Sequence, residues 1–158
     1  MGIDVKSKEI LSNIKSADPE FVLKTIEKIR ESGNNLILRE LIDLLHNTKY
    51  IEIKKNILNL LSELKNKESV PVLIDAIKNE QYTNECKDLI ACCWQNGLCY
   101  NEYLPFFIDL VIHEEFLNAF EAFTVIDNMC GKIEEDVIEL EMVKINDAIE
   151  NCDRQKVY

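Results

Sequence analysis

The chain has 158 residues, 47% of them hydrophobic and 30% charged, and a formal net charge of −11 at pH 7. This length suits one compact domain or one short array of repeats. No apolar run reaches the ~18 residues typical of a membrane span. Lys6, Lys8 and Glu9 interrupt any apolar region at the N-terminus, so no signal peptide is expected. We therefore expect a cytoplasmic protein, and the heavy use of Ile, Lys and Asn favours an AT-rich bacterial genome.

The negative charge is concentrated in the second half of the chain. Residues 1–80 hold 13 basic and 13 acidic side chains, whereas residues 81–158 hold 5 basic and 16 acidic ones. No Lys or Arg lies between Asp88 and Gly131, and this stretch contains eight of the twelve aromatic residues. Lys and Arg are the residues that bind phosphate groups, and the second half of the chain has few of them. We therefore expect neither nucleic acid nor an anionic membrane as a partner. A basic protein or peptide is favoured.

The N-terminal part predicts a capping helix and a first helical hairpin. Residues 7–15 have the apolar spacing of a short amphipathic helix. Asp18 and Pro19 then predict a helix start, because Asp caps exposed amides and Pro fits the first turn. This helix runs to Gly33, and Gly tolerates the left-handed conformation that closes helices. A second apolar helix follows over residues 36–45.

Two further hairpins follow with the same organisation. Pro71 and Pro105 each stand two residues before an apolar string, which predicts that both lie in the first turn of a second helix. Gly97 follows the first helix of the third hairpin and predicts its end. Short connections throughout predict that neighbouring helices are antiparallel.

The last part predicts a fourth first helix and a C-terminal cap. An apolar run over residues 116–129, containing three Phe, ends near Gly131. A charged helix then extends over residues 134–151. Its narrow apolar stripe is expected to face inward: Val137, Ile138, Met142, Ile145 and Ile149. Terminal repeats need a polar outer face, which indicates a capping helix.

A period of about one hairpin organises these elements. The string apolar-Ile-Asp-apolar-apolar begins at Leu41, Leu73 and Phe107, at steps of 32 and 34 residues. Glutamates near the starts of the first helices keep a similar spacing: Glu20, Glu52, Glu85 and Glu115. Such a period is typical of a solenoid, in which each hairpin buries its apolar face against the next one.

Short motifs within this period resemble those of the HEAT repeat family. The opening Asp18-Pro19-Glu20 matches the start of a HEAT hairpin, and Glu52-Ile53-Lys54 and Glu85-Cys86-Lys87 match its acidic-apolar-basic triplet. The prolines that open the second helices match as well. The family has a basic residue at the third position of this triplet. The first and fourth repeats depart from the family there, because they have Val22 and Leu117. The resemblance covers roughly residues 18–150 as about four repeats.

The resemblance implies an all-α fold, a superhelix of about four antiparallel helical hairpins forming a single domain over residues 1–158. An N-terminal cap helix would occupy residues 1–17, the repeats residues 18–132, and the C-terminal capping helix and tail residues 133–158. It also implies that the second helices line a concave surface that binds other macromolecules.

Three aspartates hold one register of the predicted second helices. By the resemblance, Asp43, Asp75 and Asp109 would form a ladder that receives a basic protein or peptide. The alternative is a solvated polar position that recurs with the repeat, since repeated charge is usually a solvated helix face. Both interpretations stay open at the level of sequence.

Aromatic residues near the third hairpin are a second candidate contact region. Trp94, Tyr100 and Tyr103 flank its connection, and Trp and Tyr are enriched among residues that dominate binding energy. Trp94 also has helical spacing from Ile90 and Leu98, which is typical of a core residue.

The six cysteines predict reduced core thiols rather than a disulfide framework: Cys86, Cys92, Cys93, Cys99, Cys130 and Cys152. They form no Cys-x2-4-Cys pair and no His follows at ligand spacing, so no metal is expected. His46 and His113 are expected near helix ends, where a cation complements the helix dipole.

The sequence contains no motif of a catalytic or cofactor site, so we expect no catalytic residue, no cofactor and no enzyme. The favoured function is a protein-interaction scaffold. A homo-oligomeric assembly subunit is the alternative, and an enzyme that uses cysteines or carboxylates is a further one.

Overall fold

The computed structural model describes residues 5–32 and 37–155, and in these ranges the chain is helical with no β-strand. This confirms the predicted all-α class. The described part contains nine α-helices: α1 (Val5–Ile14), α2 (Pro19–Ser32), α3 (Leu38–Asn47), α4 (Ile51–Ser62), α5 (Ser69–Ile77), α6 (Cys86–Gln95), α7 (Leu104–His113), α8 (Phe116–Asp127) and α9 (Glu135–Gln155). Two short 3-10 helices precede α6 and α7, at Glu80–Glu85 and Asn101–Tyr103. None of the described helices is long and apolar enough to cross a membrane.

Contacts divide the chain into two compact units, Met1–Leu98 and Cys99–Tyr158. The first unit contains α1 to α6, and the second contains α7 to α9. The single domain predicted from the sequence stays a prediction.

In the first unit, apolar faces of successive helices pack against one another. Helix α4 packs against both α2 and α6, and α3 packs against both α4 and α5. Helix α1 packs against α2 and α3, and α6 also packs against α5. The core of this unit consists of apolar side chains that are almost fully buried: Ile26, Leu41, Leu45, Ile57, Leu61, Leu73, Leu89 and Ile90.

The residues that the sequence predicts at the ends of helices lie at those ends in the structure. The backbone N–H of Glu20 donates to the Asp18 carboxylate at 3.0 Å, so Asp18 caps α2, which begins at Pro19. Pro71 lies in the first turn of α5. Gly97, two residues after α6, has a φ of 65°, a conformation that favours Gly over residues with a side chain. Gly33, the predicted end of α2, lies outside the described residues.

In the second unit, α7 packs against both α8 and α9. Phe107 of α7 is fully buried, and the Tyr100 ring meets it edge-on with the ring centroids 5.9 Å apart. Pro105 lies in the first turn of α7, as predicted. Gly131, in the connection between α8 and α9, has a φ of 99°.

Helix α9 presents only part of its predicted apolar stripe inward. Ile138, Met142 and Ile149 are exposed, whereas Glu141 is only 3% exposed. The Lys144 ammonium lies 2.9 Å from the Glu141 carboxylate and 2.9 Å from the Asp109 carboxylate of α7. The inward face therefore combines this charged contact with half-buried Val137 and Ile145 of the predicted stripe, and the prediction is wrong for Ile138, Met142 and Ile149.

Candidate functional site: a pocket between α3 and α5

Two of the three predicted ladder residues line one pocket in the first unit. Asp43 lies on α3 and Asp75 on α5, and the two helices pack side by side with the residues one repeat period apart. The pocket has a volume of about 300 Å³. Polar and apolar side chains line it: Arg39, Ile42, Asp43, Val72, Asp75, Ala76, Asn79 and Tyr82.

Tyr82, from the 3-10 helix before α6, fixes the Asp43 carboxylate. Its phenol O–H donates a hydrogen bond to Asp43. Partial burial, together with the hydrogen bond and negative charge of Asp43, raises the pKa of Tyr82 to about 12. The phenol is therefore protonated at neutral pH and remains a hydrogen-bond donor to the Asp43 carboxylate.

The second carboxylate of the pocket has an internal basic partner. The Arg39 guanidinium, one turn before Asp43, lies 3.3 Å from the Asp75 carboxylate. The two side chains are 73% and 65% exposed, so water screens the pair and it contributes little stability. A competing cation could therefore displace Arg39 at small cost.

A buried carboxylate next to Tyr82 ties three elements together. Glu85 is 7% exposed, and its Oε2 lies 3.0 Å from Nδ1 of His46, at the end of α3. Its Oε1 lies 3.6 Å from Nζ of Lys54 on α4. The His46 ring also meets the Tyr82 ring edge-on, with centroids 5.7 Å apart. These contacts hold the wall of the pocket in place.

Asp109 lies in the second unit. Its carboxylate is 51% exposed and pairs with Lys144, which Glu141 also holds. The two carboxylates together with the hydrogen bonds they accept raise the pKa of Lys144 above its ordinary value. The structure thus brings Asp43 and Asp75 together in one pocket and places Asp109 in a separate ion pair. A continuous ladder of three stays a prediction.

The three aromatic candidates differ in burial. Trp94 of α6 and Tyr103 before α7 are half-buried. Tyr100 is only 2% exposed, because it packs edge-on against Phe107. Its ring is therefore a core group, which disfavours a contact with a partner, and the partner contact of Tyr100 stays a prediction.

The six cysteines are free thiols, of which three are buried and three are exposed. Burial, reinforced by the charge of Asp88, raises the pKa of Cys92 to about 12, so this thiol stays protonated. Cys86 and Cys93 are buried too, whereas Cys99, Cys130 and Cys152 are exposed and are not the core residues that the sequence predicts. Within the described residues, no group of three or more His, Cys, Asp or Glu could hold a metal ion.

Sequence reasoning missed Arg39 and Tyr82 of this site and did not predict the burial of the neighbouring Glu85. Arg39 lies four residues before Asp43, and this one-turn spacing on α3 could have indicated that both face the same side. Tyr82 lies in a connection with no apolar spacing, and nothing in the sequence marks it. Glu85 was identified by its register, but not as a buried partner of His46.

Comparisons with protein-family models, with curated proteins and with solved structures gave no match to this chain.

Proposed function

We propose that this chain is a non-catalytic protein-interaction module with a HEAT-like solenoid arrangement, acting in the cytoplasm. The pocket between α3 and α5 is the site that receives a Lys or Arg side chain of a basic protein or peptide. The observation that carries the proposal is the presence of Asp43 and Asp75 in one pocket. Both belong to the repeated Ile-Asp register, so the period of the sequence and the site coincide.

The lining of the pocket suits a long basic side chain. Ile42, Val72 and Ala76 offer apolar contacts to its methylene groups, and the two carboxylates offer acceptors to its charged end. Tyr82 is protonated and holds Asp43 in place, which lowers the cost of ordering the site when a partner binds.

Two ion pairs inside the protein supply precedents for this mode of binding. Arg39 is paired with Asp75, and Lys144 is paired with Asp109. In both cases a basic side chain from another helix meets an aspartate of the Ile-Asp register. A partner's basic side chain would use the same chemistry at Asp43, or at Asp75 after displacing Arg39.

The non-catalytic part of the proposal draws on the thiols and on the hydrogen bonds of the pocket. Cys92 is buried with a raised pKa, which disfavours a nucleophilic role. The Tyr82 phenol is held protonated by its bond to Asp43, so it suits a donor rather than a base.

The direct test uses a fluorescent, flexible peptide in which Arg residues alternate with Gly and Ser. We expect the native chain to bind it and the double variant Asp43→Asn with Asp75→Asn to bind about tenfold more weakly, since two charged contacts are lost. Raising the ionic strength from about 0.05 M to about 0.5 M should weaken native binding, because salt screens partly exposed charges. Fluorescence anisotropy measures both effects.

A matched control separates the pocket from net charge. Glu52→Gln with Glu68→Gln makes the same change in charge within the first unit, at exposed positions that do not line the pocket. This control should bind like the native chain. Equal weakening in both double variants would show that the peptide senses overall charge, and the proposed site would then be wrong.

A further inference from the structure

Helix α8 exposes an aromatic stripe to solvent. Phe116 is 77% exposed, Phe120 57% and Phe123 55%, and Leu117 beside them is 62% exposed. The Phe116 and Phe120 rings stack with centroids 6.2 Å apart. The spacing of four and three residues places the three Phe on one helix face about 10 Å long. We call Phe116, Leu117, Phe120 and Phe123 the α8 stripe.

Exposed large apolar residues of the first unit, Phe21, Tyr50 and Ile51, lie at the starts of α2 and α4, whereas the α8 stripe extends along its helix. Exposed positions of α2 include Lys24, Glu27 and Lys28, and those of α4 include Glu52 and Lys55. Charged side chains are the usual occupants of a solvated helix face. Contiguous exposed apolar residues, in contrast, mark sites of interaction with other molecules.

Acidic side chains lie at both ends of the α8 stripe. Glu114 and Glu115 precede its first Phe, and Asp127 follows its last, and all three are exposed. No Lys or Arg lies between Asp88 and Gly131. A ligand that covers the stripe therefore brings its own edges against negative charge and receives no help from a basic residue of this segment.

We propose that the α8 stripe is a docking surface for an amphipathic helix of a partner, with an apolar face flanked by Lys and Arg. The apolar face covers the three Phe over about two helical turns, and the basic flanks meet Glu114, Glu115 and Asp127. This surface lies in the second unit and is independent of the Asp43 and Asp75 pocket proposed above.

The charges of the stripe favour this occupant over a second copy of the chain. A symmetric dimer through α8 would place the acidic rim of one copy against the acidic rim of the other. Like charges brought together at an interface weaken it, whereas opposite charges strengthen it and accelerate association. A basic helix removes this repulsion and a second copy does not.

Three synthetic peptides test the proposal. The first is a helical 18-residue design with Leu at positions i, i+4, i+7 and i+11 and with Lys on both flanks. The second keeps the Leu stripe and replaces each Lys with Glu. The third keeps the composition of the first and scatters the Leu around the helix. We expect the first to bind at least about tenfold more tightly than either of the others.

Variants of the protein locate the binding surface. Phe116→Ser with Phe120→Ser should weaken the first peptide by about 10- to 100-fold, since exposed aromatic anchors carry much of the binding energy of an interface. Tyr50→Ser with Ile51→Ser is the matched control, because these residues are 54% and 82% exposed at the start of α4 in the first unit.

Each outcome decides the proposal. Equal binding of the Lys and Glu peptides would overturn it, because charge would play no part. So would unchanged binding to the Phe116 and Phe120 variant. Sedimentation velocity completes the test: a native dimer that becomes monomeric in that variant would show that a second copy covers the stripe. If the Phe116 and Phe120 variant no longer binds the Lys peptide, and both the native chain and the variant are monomeric, the proposal is supported.

Discussion

The two units of this chain differ more in surface chemistry than in secondary structure. The first unit, residues 1–98, holds 14 basic and 15 acidic side chains, and several of them form ion pairs, of which Arg39–Asp75 lines the pocket. The second unit, residues 99–158, holds 4 basic and 14 acidic side chains and exposes the aromatic stripe of α8. The cysteines divide in the same way, with three buried in the first unit and three exposed in the second.

This difference shows how one kind of helix packing supports two kinds of surface. In the first unit, α3 packs against both α4 and α5. In the second unit, α7 packs in the same way against both α8 and α9. The outward positions are free to vary because they do not contribute to those contacts. The proposed pocket uses charge, and the α8 stripe uses apolar area.

The largest expected effect is the difference in free energy of unfolding between substituting a buried Phe and an exposed Phe of the second unit. Phe107→Ala removes a fully buried ring from α7 and should lower the free energy of unfolding by about 3–5 kcal/mol, through lost burial and the cavity left behind. Phe120→Ala should change it by less than about 0.5 kcal/mol, because the ring is 57% exposed. Urea unfolding measures both. A comparable loss in the two variants would contradict the exposed placement of the α8 stripe.

The next effect concerns the thiols. Cys99, Cys130 and Cys152 should react with a disulfide reagent at least about 100-fold faster than Cys86, Cys92 and Cys93, because reaction of a buried thiol requires local opening. Mass spectrometry after short labelling identifies the modified residues. Labelling in denaturant gives the reaction rate of each thiol when all six are accessible. Fast labelling of Cys92 would contradict its raised pKa and would favour the cysteine-based enzyme.

A smaller loss is expected from the buried carboxylate of the first unit. Glu85→Gln keeps the volume but removes the charge that faces His46 and Lys54, and should lower the free energy of unfolding by about 1–2 kcal/mol. The loss is moderate because His46 and Lys54 are 27% and 38% exposed, so water replaces the lost partner in part. Glu68→Gln, at an exposed position, is the control and should be neutral within about 0.5 kcal/mol.

The smallest signal belongs to one phenol among five. Because its pKa is raised to about 12, Tyr82 should give a late ionisation step near that pH when ultraviolet absorbance is followed during an alkaline titration. Burial should keep part of the shift in Asp43→Asn, but the late step should move toward the ordinary pKa of 10.0, because the hydrogen bond and negative charge of Asp43 are removed. In Tyr82→Phe the late step should vanish, and its persistence would assign it to another residue.

The same shift fixes the sign of a stability change. The folded chain holds the Tyr82 proton more tightly than the unfolded chain does, so this contribution is fully present below pH 10. It is lost as the pH rises through 10 toward 12, where the unfolded phenol has ionised and the folded one has not. In that range, Tyr82→Phe should lose less stability with rising pH than the native chain does.

The sequence predicts the elements well where the physical signal is local. Asp18 begins α2, Pro71 and Pro105 lie in first turns, and Gly97 follows α6, because capping and backbone freedom depend on a few neighbouring residues. The repeated Ile-Asp register predicts Asp43 and Asp75 on neighbouring helices, and these two residues line the pocket.

Other features depend on contacts that periodicity does not encode. Helix α8 is apolar around most of its circumference, so its pattern cannot show that Ala122 and Val125 face inward while Phe120 and Phe123 face outward. The inward face of α9 contains Val137 and Ile145 of the apolar stripe, but also the buried Glu141 with its Lys144 contact, which hydrophobicity does not predict there. Tyr82 and Glu85 meet α3 across 39 residues, through a 3-10 helix whose sequence has no apolar spacing.

The position of Trp94 gives the chain a built-in optical reporter. It is the one tryptophan of the sequence, and it lies half-buried in α6 of the first unit. Its emission therefore follows the first unit alone, whereas the far-ultraviolet circular dichroism follows the helices of both. Coincident curves from the two probes would mean that the units melt together, and separated curves would assign each transition to its own half of the chain.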